Sequence, residues 1–146
     1  MLRRLQTVDG KNIDVMNVAG ADLVRGMVAQ KDLANKKAIL PTDSKNLYFV
    51  DRDVQPTGLM AYEGELSEYD ERLDKIKAGD FVQLEKMFSG ERYATDQIVT
   101  EGLVVGDFLE AGIDGKLKKL ATGESDLVYG GVYNDNGHVL GIVQVQ

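Results

Sequence analysis

Lys77-Ala78-Gly79-Asp80-Phe81-Val82 and Val104-Val105-Gly106-Asp107-Phe108-Leu109 carry the same Gly-Asp-Phe phrase, 27 residues apart. Ala94-Thr95 returns as Ala121-Thr122 at the same interval. Each unit reads as strand, glycine turn, strand, with the turn at Ser89-Gly90 in the first copy and Asp114-Gly115 in the second. This duplication predicts an all-β chain: a small β-barrel or sandwich of repeated strand-turn-strand units, in which Gly-Asp bends the backbone into each strand. Val24 to Gln30, followed by Ala38-Ile39-Leu40, forms a third and looser copy, carried by Gly26 and the apolar rhythm.

The same turn chemistry punctuates the rest. Asp9-Gly10 lies between two apolar runs and predicts a two-residue hairpin. Leu47-Tyr48-Phe49-Val50 reads as a short buried strand, and Gln55-Pro56-Thr57-Gly58 as a turn leading to a returning strand over Leu59 to Glu63. Leu66, Tyr69, Leu73 and Ile76 fall at helical spacing, with Ser67 as a cap, so one short helix is expected over Glu65 to Lys77. Strands follow over Phe81 to Lys86, Arg92 to Val99, Phe108 to Ala111, Leu117 to Leu120, Leu127 to Tyr133 and His138 to Val145. The last two flank the turn Asn134-Asp135-Asn136-Gly137. One domain over 1–146 is expected, with 1–10 as a docking arm, 42–78 as an insertion bearing the helix, and 79–146 as the repeat-bearing core.

Composition narrows the function. The chain has 146 residues, 24 acidic against 17 basic, and a formal charge of −7. That balance argues against a nucleic-acid binder, because phosphate contacts need a cationic face. The absence of cysteine removes disulfides, thiolate catalysis and sulfur-ligated metals. No run has the length of a transmembrane helix, so no membrane partner is expected. Met1-Leu2-Arg3-Arg4-Leu5 turns polar at Gln6 without an apolar core, and no signal peptide is expected.

Neither a catalytic nor a cofactor constellation emerges. His138 is the single histidine and cannot make a multi-histidine metal site. Asp51-Arg52-Asp53 and Asn134-Asp135-Asn136-Gly137 lack the spacing of a calcium loop. Asp80 and Asp107 would need to face each other across a cleft to cleave a glycoside; the simpler expectation is that each caps its turn. Phosphate-binding glycine loops and nucleophile elbows are absent. The basic, apolar N-terminus reads either as a first edge strand with two solvated arginines or as an arm for a complementary acidic surface. Leu2, Arg3, Arg4 and Leu5, together with Ile142, Val143 and Val145 of the closing strand, are the candidate partner-interface residues.

Ile76 to Leu84, Val104 to Gly112, Gly115 to Leu120, Gly130-Gly131-Val132-Tyr133 and Gly141 to Val145 together resemble the small capsid decoration proteins of tailed bacteriophages. In that group a strand opened by Gly-Asp is followed by a short turn, a Lys-rich apolar strand and an alternating Val/Ile strand. The resemblance covers about residues 76–146, and more loosely 20–40. It implies a non-enzymatic virion protein, assembled in the host cytoplasm, that binds the major capsid protein on the outer surface of the head. It also implies stabilisation of the shell against internal pressure and self-association, with a trimer favoured. Other phage components (tail-tube, head-tail joining or fibre-base proteins) fit the same features. Ala111-Gly112-Ile113-Asp114-Gly115 echoes one motif of dUTPase-type β-rich nucleotide hydrolases, but the remaining motifs of that group are missing.

Overall fold

The computed structural model describes residues 1–52 and 71–146. Along them run β1 (Leu2–Gln6), β2 (Asp14–Ala19), β3 (Leu23–Val24), β4 (Val28–Asp32), β5 (Lys37–Ile39) and β6 (Tyr48–Asp51). Then come α1 (Glu71–Asp74), β7 (Lys75–Ile76), β8 (Phe81–Lys86), β9 (Arg92–Thr95), β10 (Leu109–Ala111), β11 (Leu117–Lys119), β12 (Leu127–Asp135) and β13 (His138–Val145). The all-β expectation holds, and the architecture has two main parts. Strands β2-β5-β4-β6-β8 close a barrel, and β1-β9-β13-β12 form an antiparallel sheet packed on it.

Pleat alternation builds both parts. Ala19, Ala29, Ala38, Val50, Val82 and Leu84 point into the barrel, and small alanines on three staves suit so narrow an interior. The β3–β7 ribbon adds Leu23 and Ile76 to this interior. The opposite face of the same staves carries Val28 and Phe49, which are cross-strand partners. They meet Leu2, Tyr93, Tyr129, Val143 and Val145 of the sheet, with the Phe49 and Tyr93 rings 4.7 Å apart between centroids. The β10–β11 hairpin closes this seam with Leu109 and Leu117.

The glycine phrase is one backbone device used four times. Asp80, Asp107, Glu91 and Met27 each donate their N–H to the carbonyl three residues back, closing a turn with a positive-φ glycine at its third position. Those glycines are Gly79 (φ 91°), Gly106 (φ 99°), Gly90 (φ 90°) and Gly26 (φ 94°). Each glycine N–H then donates to a strand carbonyl, on Ala19, Tyr129, Val145 and Val50 respectively. The same strand residue returns its own N–H to the carbonyl of the residue after the glycine. Every copy therefore clamps a turn to a strand edge through a reciprocal pair of hydrogen bonds, and only glycine enters this conformation without strain. The looser third copy at Gly26 is a full member.

Several hairpin expectations are corrected. Only the second repeat unit is a hairpin, β10 with β11. In the first unit β8 stays in the barrel while β9 enters the sheet, because the Gly90 turn is clamped to β13 and both edges of β9 are taken by β1 and β13. Likewise Asp9-Gly10 turns the chain, yet β1 pairs with β9 and β2 with β5 and β8. Ala121-Thr122 is an exposed loop, unlike the buried Ala94-Thr95.

The β4–β5 and β12–β13 hairpins form as expected, the latter through Asn136 and Gly137, both at positive φ. The 42–78 stretch contributes an integral stave, since β6 lies between β4 and β8. Within the expected helix, Glu71–Asp74 is helical, but Lys75–Ile76 pairs with β3 as strand. Leu66, Ser67, Tyr69 and the Gln55–Glu63 turn and strand lie outside the described residues.

Candidate partner interface

Strand alternation divides the seven candidate contact residues. β1 and β13 do lie in one sheet, on either side of β9. Leu2, Val143 and Val145, however, are buried in the seam against the barrel. They are core residues and offer no surface. The other face of the sheet carries Leu5, packed with Ala94, Leu140 and Tyr133, and the half-buried Ile142.

Neither arginine is a free docking charge. The Arg3 Nε lies 2.5 Å from Asp135 Oδ2. Arg4 reaches the barrel, its Nη2 2.7 Å from Asp51 Oδ2 and its Nε 2.7 Å from Glu85 Oε2. Residues 2–6 are thus a strand riveted on both sides, not an arm.

Arg4 belongs to a longer chain of charges through the seam. Arg25 Nε lies 2.6 Å from Asp51 Oδ1. Glu85 continues to Lys11, at 3.1 Å, and to the Tyr93 hydroxyl, at 3.0 Å. Lys11 is 2.7 Å from Glu91 Oε2, and the Tyr93 hydroxyl donates to the same oxygen at 2.6 Å. Glu91 also accepts from the backbone N–H groups of Val8 (3.1 Å) and Phe88 (2.9 Å). Three carboxylates, Asp51, Glu85 and Glu91, are thereby balanced by Arg4, Arg25 and Lys11. Glu85 and Glu91 are fully buried.

Burial alone would raise the Glu91 carboxyl, but the hydrogen bonds from Lys11, Tyr93, Phe88 and Val8 outweigh it and hold the group below its ordinary value. Burial first, then the hydrogen bond to Glu91 and the negative field of both glutamates, push the Tyr93 hydroxyl far above its ordinary value. A buried pair of this kind costs desolvation energy and returns specificity of fit. Here it fixes how the sheet seats on the barrel in a chain with no disulfide.

The candidate chemistries resolve in the same way. Asp107 caps its turn as expected: its Oδ2 accepts from Val104 N–H at 2.8 Å, and Lys119 sits 2.7 Å away. The Lys119 hydrogen bond, with that from Val104, holds its carboxyl below the ordinary value. Asp80 closes its turn through its backbone alone. The two carboxylates stand on different sheets and face no common cleft. His138 is exposed beside the β12–β13 turn, opposite Asp135 in register. Among the described residues no cluster of three or more His, Asp or Glu is arranged to hold a metal, and no helix is long and apolar enough to cross a membrane.

Two open clefts are lined by interleaved charges. One, of about 480 Å³, has Asp43, Lys45, Lys86, Glu110, Glu124 and Asp126 in its wall. The other, of about 420 Å³, contains Lys11, Lys31 and Lys86 beside Tyr48 and Phe88. In it Lys31 is bonded to Asp14 and stacked 4.3 Å from the Tyr48 ring centroid, so its charge is already matched.

The exposed apolar surface, which sequence reasoning did not find, gathers in two places. The first is a valine shelf. Val132 and Val139 are diagonal neighbours on one face of the β12–β13 hairpin, where it extends beyond the barrel. Val105 lies against Gly131, with Val104 beside it. Tyr129, near the start of β12, is clamped to the Gly106 turn, while Gly131 to Asp135 form the free edge of the sheet among the described residues. The second place is the outer wall of the barrel around Phe81, which is 77% exposed. The signal was present in adjacent Val104-Val105 ahead of a turn glycine, where alternation cannot bury both.

Comparison with protein-family models, with curated proteins and with solved structures finds no match to this chain.

Proposed function

We propose that this chain is a non-enzymatic structural protein that decorates and stabilises the outer surface of a bacteriophage capsid, docking on the major capsid protein. The observation that carries the reading is the valine shelf at the free edge of β12. Contiguous exposed apolar side chains on a soluble protein mark a protein–protein contact, and an open strand edge accepts a further strand by main-chain hydrogen bonding. The balanced ionic seam supports the same role. It gives a rigid unit without disulfides, so docking costs little ordering of the chain itself. A ligand that binds only the assembled shell then stabilises that shell by mass action.

The test is co-sedimentation of the purified chain with mature heads that lack it, and with procapsids, followed by densitometry of the pellet. Saturable binding at a copy number matching the lattice, with raised thermal resistance of the heads, is the expected result. Absence of binding to both shells overturns the proposal. Substituting Val132 and Val139 by serine is expected to weaken binding on the order of tenfold or more, as truncation of central apolar contacts does.

A further inference from the structure

The outer wall of the barrel presents a second surface with different chemistry. Phe81 opens β8 and pairs with Val18 of β2, which in turn pairs with Lys37 of β5. Direct cross-strand partners project from the same face, and here it is the outer one, since the neighbours Ala19, Ala38 and Val82 fill the interior. Met16, raised on the irregular register between Asp14 and Asn17, is exposed close by. Lys36 is held beside Val18, whose N–H donates to the Lys36 carbonyl at 3.1 Å. Lys77 begins the turn that delivers Phe81, its carbonyl accepting from Asp80 N–H at 3.0 Å. A phenylalanine, a valine and a methionine are therefore exposed amid three lysines.

These lysines differ from the other cations on the surface. Lys31, Lys118 and Lys119 are each paired with a carboxylate, and Arg3 and Arg4 are tied into the fold. Lys36, Lys37 and Lys77 make no ion pair among the described residues. The nearby carboxylates are turned to backbone donors: Asp32 accepts from Ala34 and Asn35, and Asp22 from Ala78. Asp80 is the one that stays free at the border. On a chain of net charge −7, free lysines around an exposed aromatic form a local inversion of sign.

We infer that this patch is a second docking face, and that its occupant is a protein surface presenting carboxylates around a shallow apolar pocket that takes the Phe81 ring. The inference rests on the decoration reading, and it names the shell subunit's contact chemistry. Aromatic anchors ringed by charged groups are the usual energetic centre of such contacts. A lysine rim steers an acidic partner and rejects a basic one. With the valine shelf on the sheet and this patch on the barrel, one molecule holds two unlike surfaces and can bridge two subunits. The second contact then forms at high effective concentration.

The experiment measures binding of wild type, Phe81→Ser, Lys37→Glu, Lys77→Glu and Ile113→Ser to mature heads across a salt series. Ile113 is 84% exposed at the β10–β11 tip, away from both surfaces, and serves as the control. Unchanged thermal midpoints establish that the variants fold, and the lysine reversals provide a second route should Phe81→Ser not. Phe81→Ser is expected to weaken binding about 30-fold. Each lysine reversal is expected to weaken it several-fold and flatten the salt dependence, and Ile113→Ser to leave binding unchanged. Heads that bind every variant within twofold overturn the docking face and leave the decoration reading standing. Loss with Phe81→Ser but not with the reversals overturns the acidic partner. A wild type that self-associates alone in solution, and is dispersed by Phe81→Ser, assigns the patch to a second copy and overturns the shell assignment. A wild type that binds neither mature heads nor procapsids overturns the decoration reading, and this inference with it.

Discussion

The turns at Gly90-Glu91 and Gly79-Asp80 have the same backbone and opposite surroundings. In both, a positive-φ glycine is clamped to a strand and followed by an acidic residue. Glu91 then points into the seam and joins Lys11 and Tyr93, whereas Asp80 points to solvent beside the exposed Phe81. Gly106-Asp107 is intermediate, its carboxylate capping the turn and meeting Lys119 at the surface. The lesson is that the repeated phrase specifies a way of entering a strand. What the acidic side chain does is set by the neighbour to which the turn is clamped. Gly90 is clamped to β13 in the seam, and Gly79 to the end of a barrel stave.

The largest effect is expected where that carboxylate is buried. Glu91→Ala leaves Lys11 short of a partner and strips two backbone donors, an error worth about 3–5 kcal/mol in comparable buried pairs. Chemical denaturation would show it as a fall in midpoint with little change in slope. The Glu91 carboxyl is held below its ordinary value near 4.5, so its stabilisation is complete above that pH and is lost as pH falls through the lowered value. The wild type is therefore expected to lose this increment progressively below about pH 4.5, and Glu91→Ala to show a shallower acid limb. An equal effect from Asp80→Ala would remove the contrast between the two turns.

The turn glycines themselves separate next. A methyl group on Gly26 would meet Thr95 Oγ1 at 2.4 Å and the Met1 carbonyl at 2.6 Å, while one on Gly79 or Gly106 meets nothing within 4 Å. Gly79→Ala and Gly106→Ala are expected to cost about 1–2 kcal/mol each, from φ alone. Gly26→Ala adds overpacking and is expected to cost about 3 kcal/mol or more. Thermal midpoints of the three variants would rank them. Equality among all three would mean that the clamps share one environment, against the geometry.

Much of this architecture is legible from residue order, and the failures are of one kind. Phe81–Lys86 and His138–Val145 form strands at the expected residues because alternation and turn glycines are local signals. The pairing of β9 with β1 and β13, in place of β8, is not local. Ser89-Gly90 supplies turn chemistry for a hairpin, and only the competition for strand edges decides against it. The ionic seam was hidden for the same reason. Glu85, Glu91 and Asp51 read as solvent-facing in their own strands, and their partners Lys11, Arg4 and Arg25 lie on distant segments. The split of the interface residues, by contrast, was within reach, since strict alternation places Leu2 and Leu5, or Ile142 and Val143, on opposite faces.

Tyr93 offers a subtler test of the buried arm of the comparison. Its hydroxyl is held protonated well above its ordinary value near 10.0, so its contribution is complete below that pH and is lost as pH rises past it. Tyr93→Phe removes one donor and is expected to cost about 1–2 kcal/mol at neutral pH, with a weakened decline of stability above about pH 10. Spectrophotometric titration of the tyrosines, run beside a stability profile, would link that decline to this hydroxyl. A titration at the ordinary value would mean the seam is wet and the Glu91 turn less different from its surface counterparts.

The smallest effect is expected between the two surface copies. Asp107→Asn keeps the shape of the turn cap but gives up the charge that Lys119 meets, whereas Asp80→Asn gives up a charge with no bonded partner. The Asp107 carboxyl is held below its ordinary value, so its contribution is present at neutral pH and fades in acid; Asp107→Asn is expected to lower the midpoint slightly at neutral pH and not at all in strong acid. Added salt would shrink the difference, because the Lys119 contact is at the surface. Asp80→Asn is expected to leave stability unchanged while altering how the Phe81 patch binds, since it removes the one free carboxylate at the patch border. A change in binding without a change in midpoint would show that this copy of the turn, identical in backbone to the others, serves the outside of the molecule.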